Sequence, residues 1–216
     1  MAFATHPLAK LIAEGEGQNL DFKKTISSAR KIARTLAAFA NTKGGSLLIG
    51  VKDNGKVTGV RSGEEEVFMI DTAANVFCQP AVHYVYVQHD YKGLPVVQVI
   101  VPQGTQAPYK AQNDEGELKT YLRLSDQTVL ASTVMHEVLV QQAKGEGAHL
   151  QFTDTERQLL RTLDAEGRAT LEHLCQRLHI KRYQLVKILA NLILAGLVRE
   201  LPGNGTETYV ALDPAA

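Results

Sequence analysis

Apolar residues recur at Ile32, Leu36, Ala37, Phe39 and Ala40, close to the three-and-four spacing of a helix, which predicts one over residues 30–40. Asn41-Thr42-Lys43-Gly44-Gly45 stops it, since glycine takes a left-handed cap conformation at little cost. Residues 46–51, with Leu47, Leu48, Ile49 and Val51, read as a short buried strand. Asp53-Asn54-Gly55 then signals a hairpin turn, with residues 56–60 as the returning strand. A second helix is expected over 64–77. Alternating residues at 82–88 and 96–101 flank Tyr91-Lys92-Gly93 and predict a β-hairpin. Residues 118–124 read as a further strand, and 132–142 as a closing helix with Ser132 as its N-cap.

The pattern becomes mostly helical after residues 144–149, a small, polar, glycine-bearing stretch that suits a linker. Two domains are expected, at 1–145 and 150–216. Thr153 and Glu156 have the spacing of a capping box and open a helix ending near Gly167. Thr170 caps a second helix over 171–178. A third, over 181–195, keeps Leu185, Ile188, Leu189, Leu192 and Ile193 on one face. Residues 197–201 and 206–212 bracket Pro202-Gly203-Asn204-Gly205 as a two-stranded wing. Residues 153–212 resemble the winged helix family. In that family the head of the third helix enters the DNA major groove, which here presents Lys181, Arg182, Tyr183, Gln184 and, one turn on, Lys187. Arg and Gln can bond base edges bidentately, while Lys mostly meets phosphate. Many winged helices serve instead in dimerisation or protein docking, and that alternative stays open.

Composition changes this picture in one respect. A hydrophobic share of 44% suits a globular core and argues against disorder. The net charge is zero, yet charge is unevenly placed. Residues 22–52 hold seven Lys/Arg and no acid, and residues 173–199 hold five and no acid. Separated basic fields in a neutral chain can attract polyanions locally. The two cysteines lie far apart with no metal-ligand spacing, and the seven histidines show none either. This usage fits a reducing compartment. The first eleven residues lack the apolar core of a secretory signal, and the most apolar stretch, 188–198, is too short to span a bilayer. Cytoplasmic localisation without membrane association is expected.

A distinctive order runs through the first domain: Glu16…Leu20-Asp21-Phe22-Lys23, then Phe39-Ala40-Asn41-Thr42, then Gly44-Gly45-Ser46-Leu47-Leu48-Ile49-Gly50-Val51-Lys52-Asp53, and later Tyr121-Leu122-Arg123-Leu124-Ser125-Asp126. It resembles the Schlafen AlbA-like family, often fused to a C-terminal winged helix. Asp21 stands where that family usually has Glu, and Ser125-Asp126 where it usually has Gly-Ser. The resemblance implies an α+β fold, a mixed sheet with flanking helices, here joined to a small winged-helix domain.

It also implies two functions. Many bacterial members are described as transcriptional regulators or nucleic-acid-binding domains. Animal relatives are metal-dependent endoribonucleases acting on structured RNA through three carboxylates, which by motif position correspond to Glu16, Asp21 and Asp53. These would serve as catalytic and metal ligands, with Mg²⁺ or Mn²⁺ as cofactor, only in a nuclease. Five residues separate Glu16 from Asp21, so on one regular strand they face opposite ways. They converge only if Glu16 sits in the loop before the strand, which Gly15 and Gly17 permit. Otherwise Glu16 is a loop carboxylate, Asp21 partners a nearby base, and Asp53 is an ordinary turn residue. ATP is not expected, because Lys43-Gly44-Gly45-Ser46 lacks the order of a phosphate loop and closes a helix rather than opening one. No resident cofactor is expected for a regulator. Lys23, Lys24 and Arg123 are candidates for phosphate contact, although for Arg123 an ion pair with Asp126 or Glu117 is the preferred reading. The preferred function is DNA binding by a homodimeric bacterial regulator. A metal-dependent RNase is the alternative, and a protein-interaction adaptor the third.

Overall fold

Helix α2 (Ala29–Asn41) organises the first half of the molecule. Its ten buried residues run from Ala29 to Asn41 around nearly the whole circumference, so it is a central helix rather than a one-sided cover. Ala33, Ala37, Ala38 and Ala40 let neighbouring elements approach it closely. Ser28 caps it by accepting a hydrogen bond from the Lys31 amide. The computed structural model describes residues 7–145, 153–203 and 206–212.

Before α2 come α1 (Pro7–Glu14) and β1 (Leu20–Lys23). After it come β2 (Gly45–Ile49), α3 (Gly63–Val76), β3 (Cys78–Gln79), β4 (Val85–Tyr91), β5 (Leu94–Val101), β6 (Lys110–Gln112), β7 (Leu118–Leu124) and β8 (Gln127–Leu130). One four-stranded sheet has the order β1-β2-β5-β4, with β1 parallel to β2 and the remaining pairs antiparallel. A second, wholly antiparallel, has the order β3-β6-β7-β8. The main core joins α2 and α3 to Leu47, Ile49, Val97, Val99 and Val101 of the first sheet and to Ala111 and Tyr121 of the second. On the other face of the first sheet Leu8 of α1 packs with Leu20, Phe22, Leu48 and Val96.

The expected hairpin after residue 51 is a turn only. Lys52 N–H donates to the Lys56 carbonyl at 3.0 Å, and one isolated bridge joins Val51 to Val57. No returning strand follows, because β2 already has β1 on one side and β5 on the other. The hairpin at Tyr91-Lys92-Gly93 forms as expected, with Lys92 at φ 56° and Gly93 at φ 81°.

The second half comprises α4 (Thr133–Ala143), α5 (Asp154–Glu166), β9 (Ala169–Thr170), α6 (Leu171–Leu178), α7 (Arg182–Leu194), β10 (Val198–Leu201) and β11 (Thr208–Ala211). Thr153 and Glu156 make the capping box, and Thr170 caps α6. The three strands form an antiparallel sheet in the order β10-β11-β9. The helical core gathers Leu159, Leu163, Leu174, Leu185, Leu189 and Leu192 with Val198 and Tyr209 of the wing strands.

The chain divides into two compact units, Met1–Ala131 and Ser132–Ala216. The division precedes the expected linker, so α4, expected to close the first domain, packs with the second. Its Val134 lies in the winged-helix core. Of the expected linker, residues 146–149 lie outside the described residues, as do residues 204–205 of the wing.

Candidate nucleic-acid interface

Helix α7 presents the expected head. Leu185, Leu189 and Leu192 are buried, which turns Lys181, Arg182, Tyr183, Gln184 and Lys187 outward, all exposed. Lys181 N–H donates to Gln184 Oε1 at 3.4 Å, closing the first turn. Tyr183 is 61% exposed, far more than a core tyrosine. Lys181 and Lys187 have no ion-pair partner among the described residues.

Acids from just outside the basic window reach two of its cations. Arg182 Nη1 donates to Glu172 Oε1 of α6. Glu166 of α5 accepts from His173 Nε2 at 2.8 Å and lies 4.0 Å from Arg177 Nε. Hydrogen bonds from its own backbone N–H and from Arg182 hold the Glu172 carboxyl below the ordinary 4.5. Sequence reasoning missed Glu172 because it sits one residue before the acid-free window.

The first basic stretch does not gather into one surface. Lys23 pairs with Asp21 at 2.9 Å, and Arg34 with Asp114 at 2.6 Å. Arg30 donates to the Asp114 carbonyl and lies over the Phe77 ring. Lys24 is exposed and keeps no ion-pair partner among the described residues, but Lys31 and Lys43 flank opposite ends of α2.

Arg123 is the clearest correction. Its side chain is only 2% exposed and cannot reach an external phosphate. On β7 it points inward over the Phe39 ring, 5.3 Å from the centroid. Its Nη2 donates to Asp21 Oδ1 at 3.0 Å and to the Leu20 carbonyl at 3.2 Å, and its Nε to the Gly17 carbonyl at 3.1 Å. The ion pair is made with Asp21 rather than Asp126 or Glu117. Gln18, unremarked in the sequence, adds a further tie: its Nε2 donates to the Arg123 carbonyl and its Oε1 accepts from Ser125 N–H at 3.1 Å.

Two of the three candidate carboxylates meet. Glu16 sits in the loop before β1, after Gly15 at φ 76°, and its Oε1 accepts the Phe22 amide at 2.8 Å. Burial raises its carboxyl above 4.5, against the Phe22 hydrogen bond, and the neighbouring Asp21 raises it further. Asp53 is not brought to them. Asp21 stands in register with Leu47, whereas Asp53 lies beyond the end of β2 in the exposed turn that Gly50, at φ 103°, introduces. Among the described residues no three His, Cys, Asp or Glu side chains form a group able to hold a metal ion. The expected triad is therefore not assembled, and Asp21 is already held by Arg123 and Lys23.

The motif after α2 is structural. Asn41, buried, donates from Nδ2 to the carbonyls of Tyr109 at 2.7 Å and Tyr121 at 2.9 Å, and accepts the Tyr109 amide at 2.7 Å. A Cβ on Gly44, whose φ is 73°, would lie 2.7 Å from the Val101 carbonyl oxygen, and one on Gly45 would strike the Phe39 ring. Both glycines answer to packing, and neither opens a helix to a phosphate.

Residues 16–132 match the family model described as Schlafen, AlbA_2, over more than half of the chain. The chain belongs to the Schlafen AlbA_2 family. Residues 150–205 match the model of the MarR family, which places the winged helix after the Schlafen AlbA_2 domain. No curated protein matches the chain. Among solved structures, the DIP2311 protein of Corynebacterium diphtheriae is 18% identical, with a TM-score of 0.47 over 74% of this chain. This chain spans 33% of that protein's length. The N-terminal domain of a RecG-related protein of Nitrosomonas europaea is 21% identical, with a TM-score of 0.43 over 58% of this chain and 92% of the other. No helix among the described residues is long and apolar enough to cross a membrane.

Proposed function

We propose that this Schlafen AlbA_2 and winged-helix chain is a DNA-binding transcriptional regulator of the bacterial cytoplasm, acting as a homodimer without a resident cofactor. The observation that carries this is the head of α7. There Lys181, Tyr183, Gln184 and Lys187 are exposed together, and Glu172, an acid that reaches this head, is engaged by Arg182. Exposed lysines supply the sequence-independent phosphate term, and a helix head carrying Tyr and Gln offers base-edge and apolar contacts. The family's nuclease alternative draws no support from the carboxylates, since Glu16, Asp21 and Asp53 do not form a group able to hold a metal ion.

The test is fluorescence anisotropy of a labelled duplex with the full chain over roughly 50 to 200 mM salt. Binding should weaken steeply, and the Lys181→Ala/Lys187→Ala double variant should lower the slope of log K against log salt by about 2, one per lost phosphate contact. No duplex binding at the lowest salt, or an unchanged slope in the variant, would remove α7 from the function.

A further inference from the structure

Given the DNA-binding reading above, on which this rests, we propose that the first two turns of α7 select guanine through the major groove, with Gln184 as the residue that reads it. Gln184 Oε1 accepts the Lys181 N–H at 3.4 Å, so the amide oxygen is turned back against the first turn of its own helix. The oxygen and nitrogen of an amide point apart. With Oε1 so engaged, Nε2 is the end that this exposed side chain offers outward.

That orientation decides what Gln184 meets. A glutamine lying flat against adenine uses both ends, accepting from N6 and donating to N7. Here the accepting end is committed to the cap, and the outward end only donates. Guanine presents two acceptors side by side, N7 and O6. Adenine sets an amino donor beside its N7, cytosine offers an amino donor, and thymine has O4 beside a methyl group. A donor set against a donor leaves both unpaired once water is excluded, which costs more than a bond not made. Guanine is the base that fits.

The neighbours repeat the pattern. Helical spacing sets Gln184 and Tyr183 beside Lys187, three and four residues on. The ammonium groups of Lys181 and Lys187 and the guanidinium of Arg182 donate and have nothing to accept with. Residues 181–188 contain no Asp or Glu, and Glu172 is already engaged by Arg182. Within that stretch Tyr183 carries the one hydroxyl, which can accept as well as donate. The head is otherwise a surface of donors, matched by the acceptor edge of guanine.

Selection of random-sequence duplexes by the full chain, followed by anisotropy on the enriched duplex, tests this. A guanine is expected in the enriched site, and replacing its G·C pair by A·T should weaken binding at least about fivefold. 7-Deazaguanine, which lacks the N7 acceptor, should weaken it too, whereas inosine, which differs from guanine in the minor groove, should not. Gln184→Glu is the sharpest variant. A glutamate there still accepts the Lys181 N–H, as in a capping box, but turns an acceptor outward. Preference at that one position should flip from G·C to C·G, since the cytosine amino group donates, with an unchanged circular dichroism spectrum. Tyr183→Phe should leave the guanine preference in place.

Duplex binding with steep salt dependence but no base preference overturns this proposal and leaves DNA binding standing. So does a guanine preference that persists in Gln184→Glu, or one that inosine abolishes. If no duplex is bound at the lowest salt, both readings fall together. Should Gln184→Glu fail to fold, Gln184→Ala, expected to lose the preference, and the base analogues on the unaltered chain decide.

Discussion

Arg123 and Asp21 form a buried ion pair, with side chains 2% and 5% exposed. Removing one partner of such a pair leaves the other charged and desolvated, which costs more than the pair itself contributes. Arg123→Ala should therefore destabilise the chain by about 3–5 kcal/mol in urea denaturation. The sequence pointed to Asp126 or Glu117 instead, because burial and direction come from α2 and Phe39, far away in the chain. Ser125 is the opposite case. It takes φ 52° in the two-residue turn between β7 and β8, at the position where the family usually has glycine. Ser125→Gly should raise stability by about 0.5–1 kcal/mol, the left-handed penalty less the added entropy of the unfolded chain. Glu200 extends the residue scale to pH. Burial raises its carboxyl above the ordinary 4.5, although Ser132 Oγ donates to it at 2.6 Å and Tyr209 Oη at 3.0 Å. A raised acid favours the fold while protonated and disfavours it once ionised. The thermal midpoint should thus fall as pH rises from the ordinary glutamate range through the raised value, and Glu200→Gln should flatten that fall.

At the scale of elements, the hydrophobic pattern located α5, α6 and α7, because each of them buries one stripe, and the caps of α5 and α6 were legible because Thr153 and Thr170 act locally. It could not show that α2 is buried nearly all round, since alanines read as neutral filler until two sheets close on them. The Asn54-Gly55 signal was sound as turn chemistry and wrong as a hairpin, because strand pairing needs a free edge and β2 has none. On α7, Glu172 holds Arg182, with side chains 59% and 55% exposed. An exposed pair of this kind is worth a fraction of a kcal/mol, so Glu172→Gln should tighten duplex binding about two- to fivefold and steepen its salt dependence. The anisotropy series reads both, and unchanged binding would show that Arg182 stays out of the interface.

For the whole molecule, two units with separate cores imply separate cooperativity. The boundary lies at Ala131/Ser132, and α4 brings Val134, Val138 and Leu139, all buried, to the second unit. A fragment of residues 132–216 should fold, whereas one starting at 144 should lose several buried aliphatic side chains, each worth about 1.5–3 kcal/mol, and unfold or aggregate. Circular dichroism melts of the two fragments check this. The glycine-bearing stretch after α4 looked like the boundary because composition marks flexible chain, not which core a preceding helix joins.

By itself the sequence determined the class of each domain, most element positions and caps, and the family, since these rest on short-range periodicity, turn chemistry and motif order. Only the tertiary structure decided that Arg123 is an internal cation, that Glu16 and Asp21 meet without Asp53, and that Glu172 attends the head of α7. Each depends on which distant segments become neighbours, and burial, charge pairing and free strand edges exist only once they do.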